Sequence, residues 1–179
     1  MTKSVTVAGI DCGTNSIRLK VARVDENGMT EIVPRQLKVI RLGQDVDKTH
    51  RFADEALERA YAAAREFAGI LKEHPVDGLR FVATSATRDA ANREEFEDGI
   101  EEILGVRPEV IPGTEEADLS FLGATSVVPR TDLTPPYLVV APGGGTTELV
   151  LGGAGVNAPA TPVQAAYPLH IGPAPLTER

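Results

Sequence analysis

Residues 8–19 read AGIDCGTNSIRL, in which a turn rich in glycine and small polar residues separates two apolar runs. The runs at 5–10 and 17–24 carry the β-branched and alternating residues of strands, so this stretch predicts a β-hairpin. A second turn, GGGTTE at residues 143–148, also lies between apolar runs. Because glycine lets backbone N–H groups approach an anion closely, we interpret both turns as phosphate-binding turns.

The chain between the two turns is predicted to mix strands and helices. Segments 30–33 and 36–42 are strand candidates that would extend the hairpin into an antiparallel meander. Apolar residues recur every three or four positions over 52–72, which predicts a helix with one apolar face. The remaining predictions are a strand at 79–83, a polar loop at 84–88, a helix over about 92–104, a strand at 108–111 and a strand at 137–140.

A pair of carboxylates begins the next predicted helix. Thr114 is a favoured N-cap residue for a helix over 115–123, which places Glu115 and Glu116 in the first turn. Carboxylates there complement the helix dipole, which is a structural role. The same dipole keeps a carboxylate ionised and able to accept a proton. Along the chain the pair lies between two phosphate-binding turns, a combination that suggests phosphoryl transfer.

Several other polar side chains have both a structural and a chemical interpretation. Arg88 follows a polar run, and its planar guanidinium suits either a salt bridge or the grip of a phosphate. Asp11 either forms the first turn or orients a hydrated metal ion, and Glu148 could hold a metal or its water. Arg18 and Arg41 are interpreted as solvated strand charges.

The composition narrows the function classes and the compartment. The chain has 179 residues, is 42% hydrophobic and carries a formal net charge of −8. That charge argues against non-specific nucleic-acid binding, although a local arginine cluster or a metal could still bind a polyanionic substrate. The single cysteine, Cys12, excludes an internal disulfide and fits a reducing cytosol. No apolar run is long enough to span a bilayer, so we expect a cytoplasmic protein.

Four segments, in the same order, resemble the Ppx/GppA family of exopolyphosphatases and guanosine pentaphosphate phosphatases. They are residues 8–19, 82–90, 110–117 and 143–148. The resemblance implies an α/β fold of the actin-like ATPase class, in which ribonuclease-H-like lobes have a mixed sheet with flanking helices. It predicts a first lobe at 1–126 and the start of an incomplete second lobe at 127–179. Residues 152–175, rich in proline, glycine and alanine, are expected to be irregular.

The resemblance also implies the chemistry. It implies removal of the terminal phosphate of polyphosphate, or of the 5′ phosphate of guanosine pentaphosphate, with Mg²⁺. Glu116 would be the base that activates water, Arg88 would grip phosphate, and Asp11 and Glu148 would lie near the metal. The phosphate-binding residues that it implies are Gly13, Thr14, Asn15, Ser16, Gly143, Gly144, Gly145, Thr146 and Thr147. Neither a nucleic acid nor a membrane is an expected partner, and a homodimer is one arrangement that the sequence allows.

One departure from the family pattern affects the expected activity. The second turn of the family normally begins Asp-(Ile/Leu)-Gly-Gly-Gly, whereas this chain has Ala141 and Pro142 before the glycines. Loss of a carboxylate near the metal would cost on the order of a thousandfold in rate, or about 4 kcal/mol. Two alternatives to an active hydrolase are therefore kept. One is a module that binds polyphosphate or guanosine pentaphosphate without cleaving it, with catalysis lost at Ala141. The other is an ATP-binding kinase or ATPase of the same fold superfamily.

Overall fold

The computed structural model describes residues 4–126, 135–144, 146–153 and 163–169, and it divides into two compact units. Unit 1 ends at Val110 and unit 2 begins at Ile111. This division falls before the boundary predicted after residue 126. The reason is that residues 111–126 pack against the strands that follow them.

Unit 1 is built on a five-stranded mixed sheet. Its strands are β1 (Val5–Cys12), β2 (Ser16–Asp25), β3 (Gly28–Val39), β4 (Gly78–Ala83) and β5 (Glu109–Val110). The spatial order is β3-β2-β1-β4-β5, with β1, β2 and β3 antiparallel and with β4 parallel to both β1 and β5. The predicted hairpin and meander are therefore confirmed.

The two strand segments predicted at 30–33 and 36–42 lie largely within the single strand β3. Pro34 interrupts the ladder between them, because Val33 pairs with Val21 whereas Gln36 pairs with Leu19. Strand β3 is at the edge of the sheet, where a residue without an N–H is tolerated. The predicted break is thus an irregularity within one strand.

The hydrophobic core of unit 1 is formed by residues of the sheet and of the helices of this unit. They are α1 (Val46–Thr49), α2 (Asp54–Glu73), α3 (Ser85–Asp89) and α4 (Arg93–Leu104). Helix α2 buries Ala56, Ala60, Ala64 and Phe67, and these small alanines let its backbone approach the sheet closely. Helices α2 and α4 confirm the predictions at 52–72 and 92–104, whereas the prediction of a loop at 84–88 is wrong because that run forms α3.

Unit 2 has a three-stranded antiparallel sheet with one helix packed on it. Its elements are α5 (Gly113–Ser126), β6 (Tyr137–Pro142), β7 (Thr147–Gly152) and β8 (Val163–Leu169). Phe121 of α5 lies directly over Gly152, where a Cβ atom would come within 2.8 Å of its ring. Glycine at that position therefore allows the helix to pack on the sheet.

Two sequence predictions in unit 2 are wrong. Thr114 is not an N-cap, because α5 already begins at Gly113. Residues 163–169 are not irregular but form β8, in which Pro168 pairs with Glu148. Strand β8 lies at the edge of the described sheet, where proline costs no ladder hydrogen bond on the outer side. Among the described residues, no helix is long and apolar enough to cross a membrane.

Candidate active site

The first turn, residues 13–16, is closed by a backbone hydrogen bond from Gly13 N to Ser16 O at 3.0 Å. The carbonyl oxygens of Thr14 and Asn15 both accept hydrogen bonds from residues 40–43. The amide nitrogens of Thr14 and Asn15 donate to no residue within the described ranges. These two N–H groups are therefore available to an anion, as a phosphate-binding turn requires.

Helix α3, which carries Arg88, begins at the same edge of the sheet as the first turn. Strands β1 and β4 are parallel neighbours, so their carboxyl ends lie side by side. Thr84 N donates to Cys12 O at 3.1 Å, and the hydroxyls of Thr14 and Ser85 are 3.0 Å apart. The fold thus places the short helix with Arg88 in its last turn against this turn.

Asp11 and Arg18 form an ion pair at the base of the first turn. They face each other across β1 and β2, and Arg18 Nη1 donates to Asp11 Oδ2 at 2.7 Å. Both side chains are more than a third exposed, so the pair contributes little to stability. Its effect is to fix the direction of the Asp11 carboxylate. Arg18, interpreted from the sequence as a solvated charge, is the partner of this predicted metal ligand.

Cys12 lies beneath the turn as a core residue. Its side chain is buried, and burial raises the pKa of the thiol well above its ordinary value, with the Asp11 carboxylate acting in the same direction. A buried thiol held in its protonated form is a poor nucleophile. Cys12 is therefore not a candidate nucleophile, and the predicted site residues remain the carboxylates, the arginine and the turn residues.

The second turn, residues 143–146, is closed by the same kind of bond, from Gly143 N to Thr146 O at 2.7 Å. A Cβ atom on Gly143 would lie 2.9 Å from that carbonyl oxygen, so the turn needs glycine there. Gly144 and Thr146 are half-buried, whereas Gly145, also predicted to bind phosphate, lies outside the described residues.

The two hairpins are equivalent in register. Cys12 pairs with Ile17 next to the first turn, just as Pro142 pairs with Thr147 next to the second. One step further from each turn, Asp11 faces Arg18 and Ala141 faces Glu148. Ala141 therefore takes the place of Asp11, and Glu148 takes the place of Arg18.

Glu116 and Glu148 both belong to unit 2. Helix α5, which carries Glu116, packs on the sheet that contains β7 and Glu148, since Phe121 packs over Gly152 and Ala117 belongs to the same buried cluster as Val150. Glu116 is in the first turn of α5, where its backbone N–H donates to Pro112 O at 3.1 Å.

Asp11 and Glu148, the two predicted metal ligands, lie in different units. Asp11 is one residue before the strand pair that closes the first turn, and Glu148 is one residue after the pair that closes the second. Within the described ranges, no group of three or more His, Cys, Asp or Glu side chains is arranged to hold a metal ion. Magnesium therefore stays a prediction from the sequence.

Residues 40–44 contact the first turn, which the sequence patterns do not indicate. Arg41 was interpreted as a strand charge, but it follows β3, has a left-handed backbone with φ 48°, and donates its N–H to Asn15 O. Gly43, directly after the strand predicted at 36–42, was the available signal. A glycine there indicates a close backbone approach.

These features are those of the Ppx/GppA phosphatase family, and the chain belongs to it, since the family model matches residues 20–179. Among curated proteins, Exopolyphosphatase 2 of Mycobacterium tuberculosis is 44% identical over 181 residues, which cover 97% of this chain and 54% of that protein. The chain therefore spans about half the length of this relative.

Solved structures agree with this assignment. The crystal structure of an exopolyphosphatase-like protein is 80% identical, with a TM-score of 0.92, and the match covers 98% of this chain and 53% of the other. The PPX-GPPA enzyme of Aquifex aeolicus is 31% identical with a TM-score of 0.75, covering 98% and 56% of the two chains. An exopolyphosphatase from Cytophaga hutchinsonii is 28% identical with a TM-score of 0.84, covering 97% and 53%. The predicted family and its actin-like ATPase fold class are confirmed.

Proposed function

We propose that this chain is part of a phosphohydrolase that removes the terminal phosphate of inorganic polyphosphate. The observation that carries the proposal is the pair of matched hairpins, each with a glycine turn closed by the same backbone hydrogen bond. Membership in a phosphatase family and similarity to exopolyphosphatases support the same reaction. The 5′ phosphate of guanosine pentaphosphate offers a similar terminal phosphoanhydride and is the second substrate in the proposal.

Each residue has a distinct task in this reaction. The N–H groups of Thr14 and Asn15, and the second turn, bind phosphate oxygens and hold the chain end. The Glu116 carboxylate accepts a proton from the attacking water, and the Arg88 guanidinium neutralises charge on the phosphate. Asp11 in unit 1 and Glu148 in unit 2 are each proposed as a carboxylate ligand of magnesium, which would neutralise further charge on the phosphate oxygens. Cytoplasmic location and a homodimer stay predictions from the sequence.

Orthophosphate release from three substrates tests the proposal. Long-chain polyphosphate, guanosine pentaphosphate and ATP are compared at equal concentration of terminal phosphate, with Mg²⁺ present. We expect rapid release from polyphosphate and little from ATP, because a long chain presents many more phosphates to the glycine turns than the three of ATP. Turnover of ATP without turnover of polyphosphate would instead identify a kinase or ATPase of the same fold superfamily.

A module that binds polyphosphate without cleaving it is the second candidate, and Ala141 is the observation that favours it. Ala141 stands opposite Glu148, where the family pattern has an aspartate, so one carboxylate of this pair is absent. Tight binding of polyphosphate by the unmodified protein, with no orthophosphate release, would identify this function.

Ala141→Asp is expected to raise the rate of phosphate release, by up to about a thousandfold if the missing carboxylate limits the rate. In this variant the new carboxylate lies directly opposite Glu148 on the neighbouring strand, and the two carboxylates repel each other. The gain in rate should therefore require magnesium, and the Tm of the Ala141→Asp variant should fall when magnesium is removed. Ala141→Asn is the matched control, because it has nearly the same size without the charge. An equal gain in the asparagine variant, or no gain in the aspartate variant, would contradict the proposed role of this position.

A further inference from the structure

Residues 40–44 hold the first phosphate turn from the side of its carbonyl oxygens. The N–H groups of Ile40 and Arg41 both donate to Asn15 O at 3.0 Å, and Gly43 N donates to Thr14 O at 2.8 Å. A peptide carbonyl and the N–H of the next residue lie in one rigid plane, so fixing the carbonyls of Thr14 and Asn15 limits where the N–H groups of Asn15 and Ser16 point. We refer to residues 40–44 as the support segment.

Arg59 holds the support segment from helix α2. Its Nε donates to Ile40 O at 2.7 Å, and its Nη2 donates to Gln44 Oε1 at 2.9 Å. Ala56 and Ala60, which flank Arg59 on α2, are both fully buried in the core. The guanidinium therefore ties the support segment to a helix that is anchored in the core of unit 1.

Gly43 is in tight contact with the side chain of Thr14. A Cβ atom on Gly43 would lie only 2.2 Å from Thr14 Cγ2, so any larger residue must displace that methyl group. Threonine is branched at Cβ, and moving its methyl also moves its hydroxyl, which lies 3.0 Å from the Ser85 hydroxyl. The packing of Gly43 thus sets the rotamer of a predicted phosphate-binding residue.

We infer that Gly43 and Arg59 are positioning residues for the first phosphate turn. Neither belongs to the turn, and both act through the support segment on the backbone N–H of Asn15 and on the side chain of Thr14. This inference rests on the proposed function only for its kinetic consequence. The placement of the turn itself can be measured without any turnover.

The test is a double-mutant cycle of Gly43→Ala and Thr14→Ser in the protein at its natural length. Serine keeps the hydroxyl and removes the methyl group that the new Cβ would meet. With long-chain polyphosphate and Mg²⁺, Gly43→Ala alone is expected to raise KM about tenfold or more, since misplaced binding groups weaken binding. When Thr14→Ser is already present, the same change should raise KM less than about twofold, which is the coupling that direct contact predicts.

Gly69→Ala is the matched control for replacing a glycine by alanine. Gly69 is exposed on α2, and a Cβ atom there would meet no atom within 4 Å. We expect its KM to equal that of the unmodified protein. If Gly43→Ala does not fold, Arg59→Lys replaces it, because lysine cannot hold Ile40 O and Gln44 together. That variant should raise KM several-fold with a smaller change in kcat.

A second readout separates this inference from the proposed function. The backbone amide resonances of Thr14 and Asn15 in a ¹H–¹⁵N spectrum should shift in Gly43→Ala and return toward their original positions in the double variant. If the unmodified protein releases no phosphate but these shifts occur, the proposed function fails and the positioning role stands. Unchanged resonances and an unchanged KM in Gly43→Ala would overturn the inference, as would a loss that Thr14→Ser does not relieve.

Discussion

Glu116→Gln is expected to release phosphate from polyphosphate about 10²- to 10⁴-fold more slowly than the unmodified protein, which is the usual contribution of a positioned base. Glutamine has nearly the same shape and keeps the backbone bond from residue 116 to Pro112, but it cannot accept the proton of the attacking water. Because the proposed phosphate-binding turns are unchanged, KM should change much less than kcat. Steady-state phosphate release with Mg²⁺ measures both.

Glu115→Gln is the matched control for this prediction. Glu115 is in the same first turn of α5, is half-buried like Glu116, and loses the same charge. We expect this variant to retain most of the rate. Equal losses in both variants would mean that the negative charge of the helix start matters and that Glu116 is not a specific base. Full activity of Glu116→Gln would assign the base to another residue.

Phe96→Ala is expected to lower the free energy of unfolding by about 3–5 kcal/mol, the typical cost of deleting a fully buried phenyl ring. Phe96 of α4 has no exposed surface and packs edge-to-face on Phe52, at 5.7 Å between ring centres, and on Phe81, at 6.3 Å. The ring therefore packs α4 against β4 and against the residues just before α2. Urea unfolding followed by circular dichroism measures the loss.

Phe96→Leu distinguishes the lost packing from any other effect of the substitution. Leucine fills much of the same volume, so it should cost clearly less than alanine, about 1–2 kcal/mol. A loss below about 1 kcal/mol in Phe96→Ala would contradict the packing described here, because such a value is typical of surface substitutions.

The hairpins were predictable because their determinants are local. A glycine turn between two alternating apolar runs predicts the β1–β2 pair without knowledge of the rest of the chain. The same is true of α2, whose buried alanines recur at helical spacing. The parallel pairing of β4 with β1 and β5 was not visible in these patterns, because it joins segments that are distant along the chain.

The missed features depend on contacts that are distant in sequence. Strand β8 contains Pro168 and lacks strong alternation, and it is a strand because β7 offers it a ladder. Arg41 and Gly43 hold the first turn although they lie beyond the end of β3, which no local periodicity indicates. Residues 85–89 form α3 against the local preference for a loop, and Thr84, the residue before this helix, is bonded to Cys12 at the end of β1.

The candidate site was predicted in part for the same reason. The turn residues could be identified from glycine and hydroxyl content alone. The ion pair of Asp11 with Arg18, and the matching position of Ala141 opposite Glu148, required the strand register. The register in turn shows that Ala141, where the family pattern has aspartate, faces Glu148.

The central claim is that water attacks the terminal phosphorus of polyphosphate, and hydrolysis in ¹⁸O-labelled water tests it most directly. Mass spectrometry of the orthophosphate released with Mg²⁺ should show one solvent oxygen in each molecule. The amount of this labelled orthophosphate formed per unit time should fall in Glu116→Gln. Orthophosphate without solvent oxygen, with the label in the shortened chain instead, would contradict attack at the terminal phosphorus. Transfer of the terminal phosphate to added ADP, with no release to water, would contradict the hydrolase itself.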